Sequence, residues 1–271
     1  MLAVLVGAFG TFIGSFLNVV VSRVPLGRSV VSPPSACGAC GAAIRPHDNI
    51  PLVSWLVLRG RCRDCAAPIS VRYPFVELAG AVAFGLVAWR FLPEVLAAGS
   101  GMAVAAEVLQ LAAYLYFAAI SIALALIDLD THRLPDVIVL PAYLVGLVLL
   151  GCSAALTGSW QPLLVGVVGA LATGGLYLVL ALVRPGGMGM GDVKLAGVIG
   201  LFTGWLGVPE LVVATIAATV LGGVVGVGLL LAGRGRRAAI AFGPWLLAGA
   251  WIAILAGVPL MSGYLSLFGI N

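Results

Sequence analysis

The sequence predicts an all-α polytopic membrane protein of about eight transmembrane helices, with one small polar insertion after the first. Three observations carry that expectation. Hydrophobic residues make up 62% of the 271 and charged residues only 9%, against the roughly 25–35% charged surface of a soluble domain. The apolar residues gather into eight runs, most of them near the ~20 residues that cross a bilayer. The basic residues then fall on alternate connections, as the positive-inside rule requires.

Run 2–22 opens the chain. Met1-Leu2-Ala3-Val4 lacks the basic region of a secretory signal and no small-residue cleavage site follows, so this run is expected to stay as a helix. Runs 74–92, 103–127, 136–156, 162–183, 193–207, 210–232 and 240–258 follow. Every Lys and Arg except Arg90 lies in connections 23–73, 128–136, 184–192 and 233–239 or, as Lys194, one turn beyond. Those connections are therefore expected at the cytoplasmic face, and both termini outside. The net charge of +4 reports topology, because no basic stripe interleaved with aromatics is present to read nucleic acid.

Residues 23–73 break the membrane pattern, with seven Arg, four of the five Cys and six Pro. The expected organisation is a first transmembrane helix, 1–22, a cytosolic module, 23–73, and a membrane domain, 74–271. Cys37-Gly38-Ala39-Cys40 and Cys62-Arg63-Asp64-Cys65 form two C-x2-C pairs. Each pair can set two thiolates on one tight knuckle, and two knuckles complete a tetrahedral four-sulfur shell, so a zinc-ribbon-like module with structural Zn2+ is expected. The alternative, two disulfides or free thiols, sits poorly with a loop facing a reducing pool. Cys152, within an apolar run, reads as a small buried hydrophobe.

Two acids stand at ends of apolar runs: Asp128, and Asp192 within Gly189-Met190-Gly191-Asp192. Each has a modest explanation alone, Asp128 as a group in the helix-to-loop turn and Asp192 as a helix N-cap. Together they suggest more. Carboxyls at membrane depth are expensive and mark function, and two of them at one depth beside a glycine-rich, strand-accepting segment suit aspartic peptide hydrolysis. Asp130, Asp136 and Lys194 are candidate modulators, Glu77 a candidate interhelical hydrogen-bonding group, and no Ser/His/Asp or HExxH set is visible. Two rivals stand beside this reading: a proton-coupled transporter or channel using the two Asp as a relay, and a structural scaffold.

The ordered motifs resemble a family, the type IV prepilin peptidases, or leader peptidase/N-methyltransferases, of the GxGD intramembrane aspartyl protease class. The resemblance runs from Gly14-Ser15-Phe16-Leu17-Asn18 through both C-x2-C pairs, Asn49-Ile50-Pro51, Tyr73-Pro74-Phe75-Val76-Glu77, Ile127-Asp128-Leu129-Asp130 with Leu134-Pro135-Asp136, and Gly189-Met190-Gly191-Asp192-Val193-Lys194, to Ala241-Phe242-Gly243-Pro244. It implies that Asp128 and Asp192 are catalytic, with Gly189, Gly191, Lys194 and Asp136 supporting the catalytic loop, and that Cys37, Cys40, Cys62 and Cys65 hold the metal. It further implies an enzyme of the bacterial inner membrane that removes the leader of prepilins and type II secretion pseudopilins at the cytoplasmic face. Methylation of the new N-terminus with S-adenosylmethionine is implied as well. The sequence shows no glycine-rich nucleotide fold that would locate the methyl donor, and it leaves the oligomeric state open. One departure is Gly38, where many members have Pro.

Overall fold

A computed structural model describes residues 1–183, 188–231 and 241–269. Its regular structure is helical, with nine α-helices among the described residues: α1 (Leu2–Arg23), α2 (Val53–Val57), α3 (Arg72–Ala97), α4 (Gly101–Thr131), α5 (Asp136–Thr157), α6 (Gln161–Val183), α7 (Met190–Leu206), α8 (Val208–Leu231) and α9 (Gly243–Ser266). Seven are long and apolar enough to cross a membrane: α1, α3, α4, α5, α6, α8 and α9. The remaining expected span, 193–207, lies in α7, whose 17 residues make it shorter than those seven helices. At 1.5 Å per residue it rises ~25 Å, at the short end of the roughly 17–25 residues that cross a bilayer. Protein rather than lipid surrounds it, since every residue from Leu195 to Trp205 is buried. Arg184, Gly186, Gly187, Arg234, Arg236 and Arg237 lie outside the described residues.

The chain divides into two compact units. The first comprises residues 1–94 with 115–123. Here α1 meets α3 backbone to backbone, because glycines remove the side chains that would hold the helices apart. A Cβ on Gly14 would come within 2.6 Å of the Glu77 Cα and 2.7 Å of the Val76 carbonyl, and Gly10 and Gly80 are mutually close in the same way. Asn18 Nδ2 donates to the Tyr73 carbonyl at 3.2 Å, tying the end of α1 to the start of α3.

The second unit comprises residues 95–114 with 124–271. Its centre is α7, and α6 lies directly against it: a Cβ on Gly169 would meet the Gly200 carbonyl at 2.6 Å, and one on Gly204 the Val165 carbonyl at 2.7 Å. Hydroxyls from three other helices donate to α7 carbonyls, Tyr114 to Phe202 at 2.6 Å, Tyr143 to Lys194 at 2.7 Å and Thr173 to Ala196 at 2.8 Å. Buried polar groups of this kind need partners, so the three bonds fix α7 in rotation as well as depth. α9 departs from helical geometry at Ala256, three residues before Pro259, where a proline inside a helix removes a ladder bond and crowds the preceding turn. Cys152, expected inside, is exposed on α5. An all-apolar helix gives no periodic signal for which face turns inward.

Candidate active site and metal centre

The last turn of α4 carries Asp128. The helix stops at His132, which adopts a left-handed φ of 51° and donates its N–H to the Asp128 carbonyl at 2.8 Å. Asp128 is only 4% exposed, whereas Asp130 two residues on is exposed. A simple turn-capping role for Asp128 therefore does not describe it: its Oδ2 accepts the buried N–H of Gly243, 115 positions away, at 2.9 Å. Gly243 opens α9 and Pro244 follows it. The first N–H groups of a helix have no partner within it, so this one is available to a carboxylate.

Asp192 is the third residue of α7, and Gly189, not Asp192, is the N-cap. Its Oδ2 reaches back to accept the Gly189 N–H at 3.1 Å, the second half of a capping box. The two acids thus share a design. Each uses one oxygen to take a glycine N–H at the start of a helix, and among the described residues neither Oδ1 receives a hydrogen bond.

Leu134 packs close to both Gly191 and Gly243. A Cβ on Gly191 would come 2.9 Å from Leu134 Cβ, and a Cβ on Gly243 would come 2.8 Å from Asp128 Oδ2 and 3.3 Å from Leu134 Cδ2. The loop after α4 is therefore packed against the glycine turn before Asp192 and against the start of α9, and Asp192 lies within electrostatic reach of Asp128. The expected supporting residues occupy the same end of the helices. Lys194 Nζ holds both carboxylate oxygens of Asp136, the first residue of α5, at 2.8 Å. Residues two apart on a helix face different directions, so that ion pair leaves Asp192 unpaired with Lys194.

The four cysteines also converge. Their sulfurs all lie within 4.8 Å of one another, and those of Cys37 and Cys65 are 3.8 Å apart. Each knuckle is built identically: Cys37 N–H donates to Ala42 and Cys62 N–H to Ala67, both at 2.8 Å, and Gly41 and Ala66 return to the cysteine carbonyls at 2.9 Å. Gly41 and Ala66 occupy matching left-handed positions, φ 72° and 57°. Two ion pairs cross between the halves, Arg63 to Asp48 at 2.6 Å and Arg45 to Asp64 at 3.0 Å. The Arg63 guanidinium holds the Asp48 carboxyl below its usual range. N–H groups of Cys40 and Ala39 draw the Cys37 thiol down to about 6, while the neighbouring cysteine side chains help push Cys65 up to about 12. These four residues are positioned to bind a metal ion.

Sequence reasoning missed several features of these sites. Gly243 belongs to the Ala241–Pro244 motif, and Pro244 after it is the available sign of a helix start with open donors. Leu134 and Tyr143 had no distinguishing sequence signal. The knuckles repeat at a constant offset, Cys37–Ile44 against Cys62–Ile69, which self-comparison of the module would have revealed.

A helical membrane scaffold, two carboxyls anchored beside glycine turns and a four-thiol module are the features of one class, the membrane-embedded aspartic peptidases. Residues 8–91 match the family model of the Bacterial Peptidase A24 N-terminal domain, and residues 115–227 that of the Type IV leader peptidase family. A prepilin leader peptidase/N-methyltransferase of Pseudomonas putida is 37% identical, across 96% of this chain and 92% of its own. Proteins of the same name from Pseudomonas aeruginosa and Neisseria gonorrhoeae are 36% and 35% identical, across 96% and 93% of this chain and 92% and 90% of theirs. No solved structure matches the chain. The chain belongs to the type IV leader peptidase family and is a multi-pass inner membrane protein.

Proposed function

We propose that this chain removes the leader of type IV prepilins and type II secretion pseudopilins at the cytoplasmic face of the inner membrane, with Asp128 and Asp192 as the catalytic pair. The observation that carries the reading is the shared anchoring of the two acids. With Oδ2 of each tied to a glycine N–H, the Oδ1 atoms are the free working edges.

The chemistry follows from that arrangement. Two neighbouring carboxyls operate with one proton between them. The ionised member takes a proton from water as the oxygen attacks the scissile carbonyl. The protonated member donates to the carbonyl oxygen, and collapse of the tetrahedral species releases the leader and the new amine. A helical substrate must first open, since its amides are tied to carbonyls four residues away. Gly189 and Gly191 present backbone without side chains to the opened strand. The Lys194–Asp136 ion pair fixes the first turn of α7 against α5 and so holds the Asp192 backbone in place.

Residues 23–73 form a cytosolic module between the helix of 1–22 and the membrane domain of 74–271, and Cys37, Cys40, Cys62 and Cys65 hold a structural Zn2+. The fit is geometric. Tetrahedral Zn–S bonds of ~2.3 Å separate the sulfurs by about 3.8 Å, the spacing of Cys37 and Cys65. Four thiolates leave no coordination position for substrate. The relatives' second named activity brings S-adenosylmethionine, which when bound supplies a methyl group to the freed N-terminal amine. Both termini lie outside, and lipid covers the exposed apolar faces of the helices.

The transporter reading finds no support, since the matching families and relatives are peptidases and both acids sit in end turns of helices. The test is to co-express a tagged prepilin with wild type, Asp128→Asn or Asp192→Asn and follow leader removal. Each variant should lose at least ~10³-fold in cleavage rate. Wild-type processing by either one removes that residue from the pair.

A further inference from the structure

Helix α2 is apolar on both faces. Its inward side is tied to the module: Ser54 Oγ donates to the His47 carbonyl at 3.0 Å and Trp55 Nε1 to the Ile69 carbonyl at 3.3 Å. The outward side consists of Val53, Leu56 and Val57, at the i, i+3, i+4 spacing of one helix face, and these are 52%, 67% and 70% exposed. Ile50, just before α2, is exposed as well. A contiguous apolar patch on a small polar module marks a docking surface.

The position of α2 identifies what covers it. Leu52, at the start of α2, donates its N–H to Glu77 Oε2 at 2.7 Å. Glu77 is buried and lies five residues, about 7.5 Å, into α3, and a helical side chain leans back toward the N-terminus of its helix. Leu52 therefore sits level with the first turn of α3, a helix long and apolar enough to cross a membrane. The same bond restrains Leu52 at a left-handed φ of 62°, which a leucine keeps only when its surroundings enforce it, so the depth of α2 is fixed. At the other tether the apolar span of α1 continues to Leu26, which is also exposed. α2 thus lies at the depth where hydrocarbon gives way to headgroups.

The charge around it has one sign. Residues 23–73 carry seven Arg against two Asp, and both acids are taken, Asp48 by Arg63 and Asp64 by Arg45. Arg59 and Arg61, directly after α2, are exposed, and among the described residues their side chains have no partner. We propose that α2 is an interfacial helix that docks on anionic phospholipid, with Val53, Leu56 and Val57 among the outer acyl carbons and Arg59 and Arg61 on the phosphates. A basic peptide would be repelled here, and a second copy would bring the same charge to the same patch. The module is then seated on the bilayer that α1 and α3 cross.

The test places a photoreactive side chain in the full chain, Leu56→p-benzoylphenylalanine. The protein is reconstituted in nanodiscs of phosphatidylcholine with a minority of phosphatidylglycerol, and the adducts are identified by mass spectrometry. Both leaflets are present, so the result does not depend on which side of the membrane the module occupies. Irradiation should give chains heavier by one phospholipid, with phosphatidylglycerol enriched about fivefold over its share of the bilayer, the effect of one basic residue near an anionic surface. Arg59→Gln with Arg61→Gln in the same background should return the adducts to the composition of the bilayer. If the Leu56 variant loses the protease resistance that residues 23–73 have in the wild type, Val57→p-benzoylphenylalanine is read in its place. Adducts to a second copy or to protein alone, no lipid adduct, or phosphatidylglycerol at its bulk share would each overturn docking on anionic lipid.

Discussion

The cysteine module and helix α7 hold their chemical groups by opposite means. Between residues 23 and 73 only Pro51, Ser54 and Gly60 are buried, whereas α7 is buried without interruption from Leu195 to Trp205. A segment of ~50 residues with so little interior cannot fold on apolar burial and needs a staple; sulfur ligands and crossed ion pairs supply it. In α7 the restraint is volume, with glycines admitting neighbouring backbones and hydroxyls capping its carbonyls. Metal therefore governs one region and packing the other, and each should fail to a different insult.

Metal removal should have the largest effect. Chelation, or Cys37→Ser with Cys62→Ser, should remove a restraint of order 10 kcal/mol, opening 23–73 to protease while the helical melt of the membrane domain hardly moves. A module that stays protease-resistant without metal breaks the contrast. Next comes Gly243→Ala, whose methyl would press on Asp128 Oδ2. A displaced catalytic group costs about 10²-fold in rate, so cleavage should fall while the protein stays folded. Gly169→Val, against the Gly200 carbonyl, should destabilise the helical core by ~1–3 kcal/mol, read as a lower melting temperature in detergent. Gly38→Ala, with open space around it, should leave that melt unchanged. The smallest effect is expected at Ala66. Replacing it by Gly relieves a left-handed alanine and should strengthen the second knuckle by up to about 1 kcal/mol, while Gly41→Ala should weaken the first to a similar degree, both read as metal retention under chelator titration.

The same contrast explains what could be read from the sequence. Ligands three positions apart on one knuckle are set by local geometry, so the spacing of Cys37, Cys40, Cys62 and Cys65 foretold their convergence. Asp128 and Asp192 were legible as costly acids at ends of apolar runs. Their anchors were not equally visible, because the Asp128–Gly243 bond spans 115 positions and depends on how helices pack rather than on any local pattern. The burial of α7 was not visible for a related reason. Its composition is that of a membrane span, and composition alone does not separate a helix surrounded by protein from one surrounded by lipid. Cys152 shows the converse, an apolar-run residue that faces outward.

Whether Asp128 and Asp192 act as one unit is tested most directly by measuring leader cleavage of a prepilin by Asp128→Asn, Asp192→Asn and the double variant in one sensitive assay. Groups that work as a pair lose their function together, so the account predicts that the double variant is no slower than either single one. Effects that multiply in the double variant, or cleavage near the wild-type rate in either single variant, would contradict it.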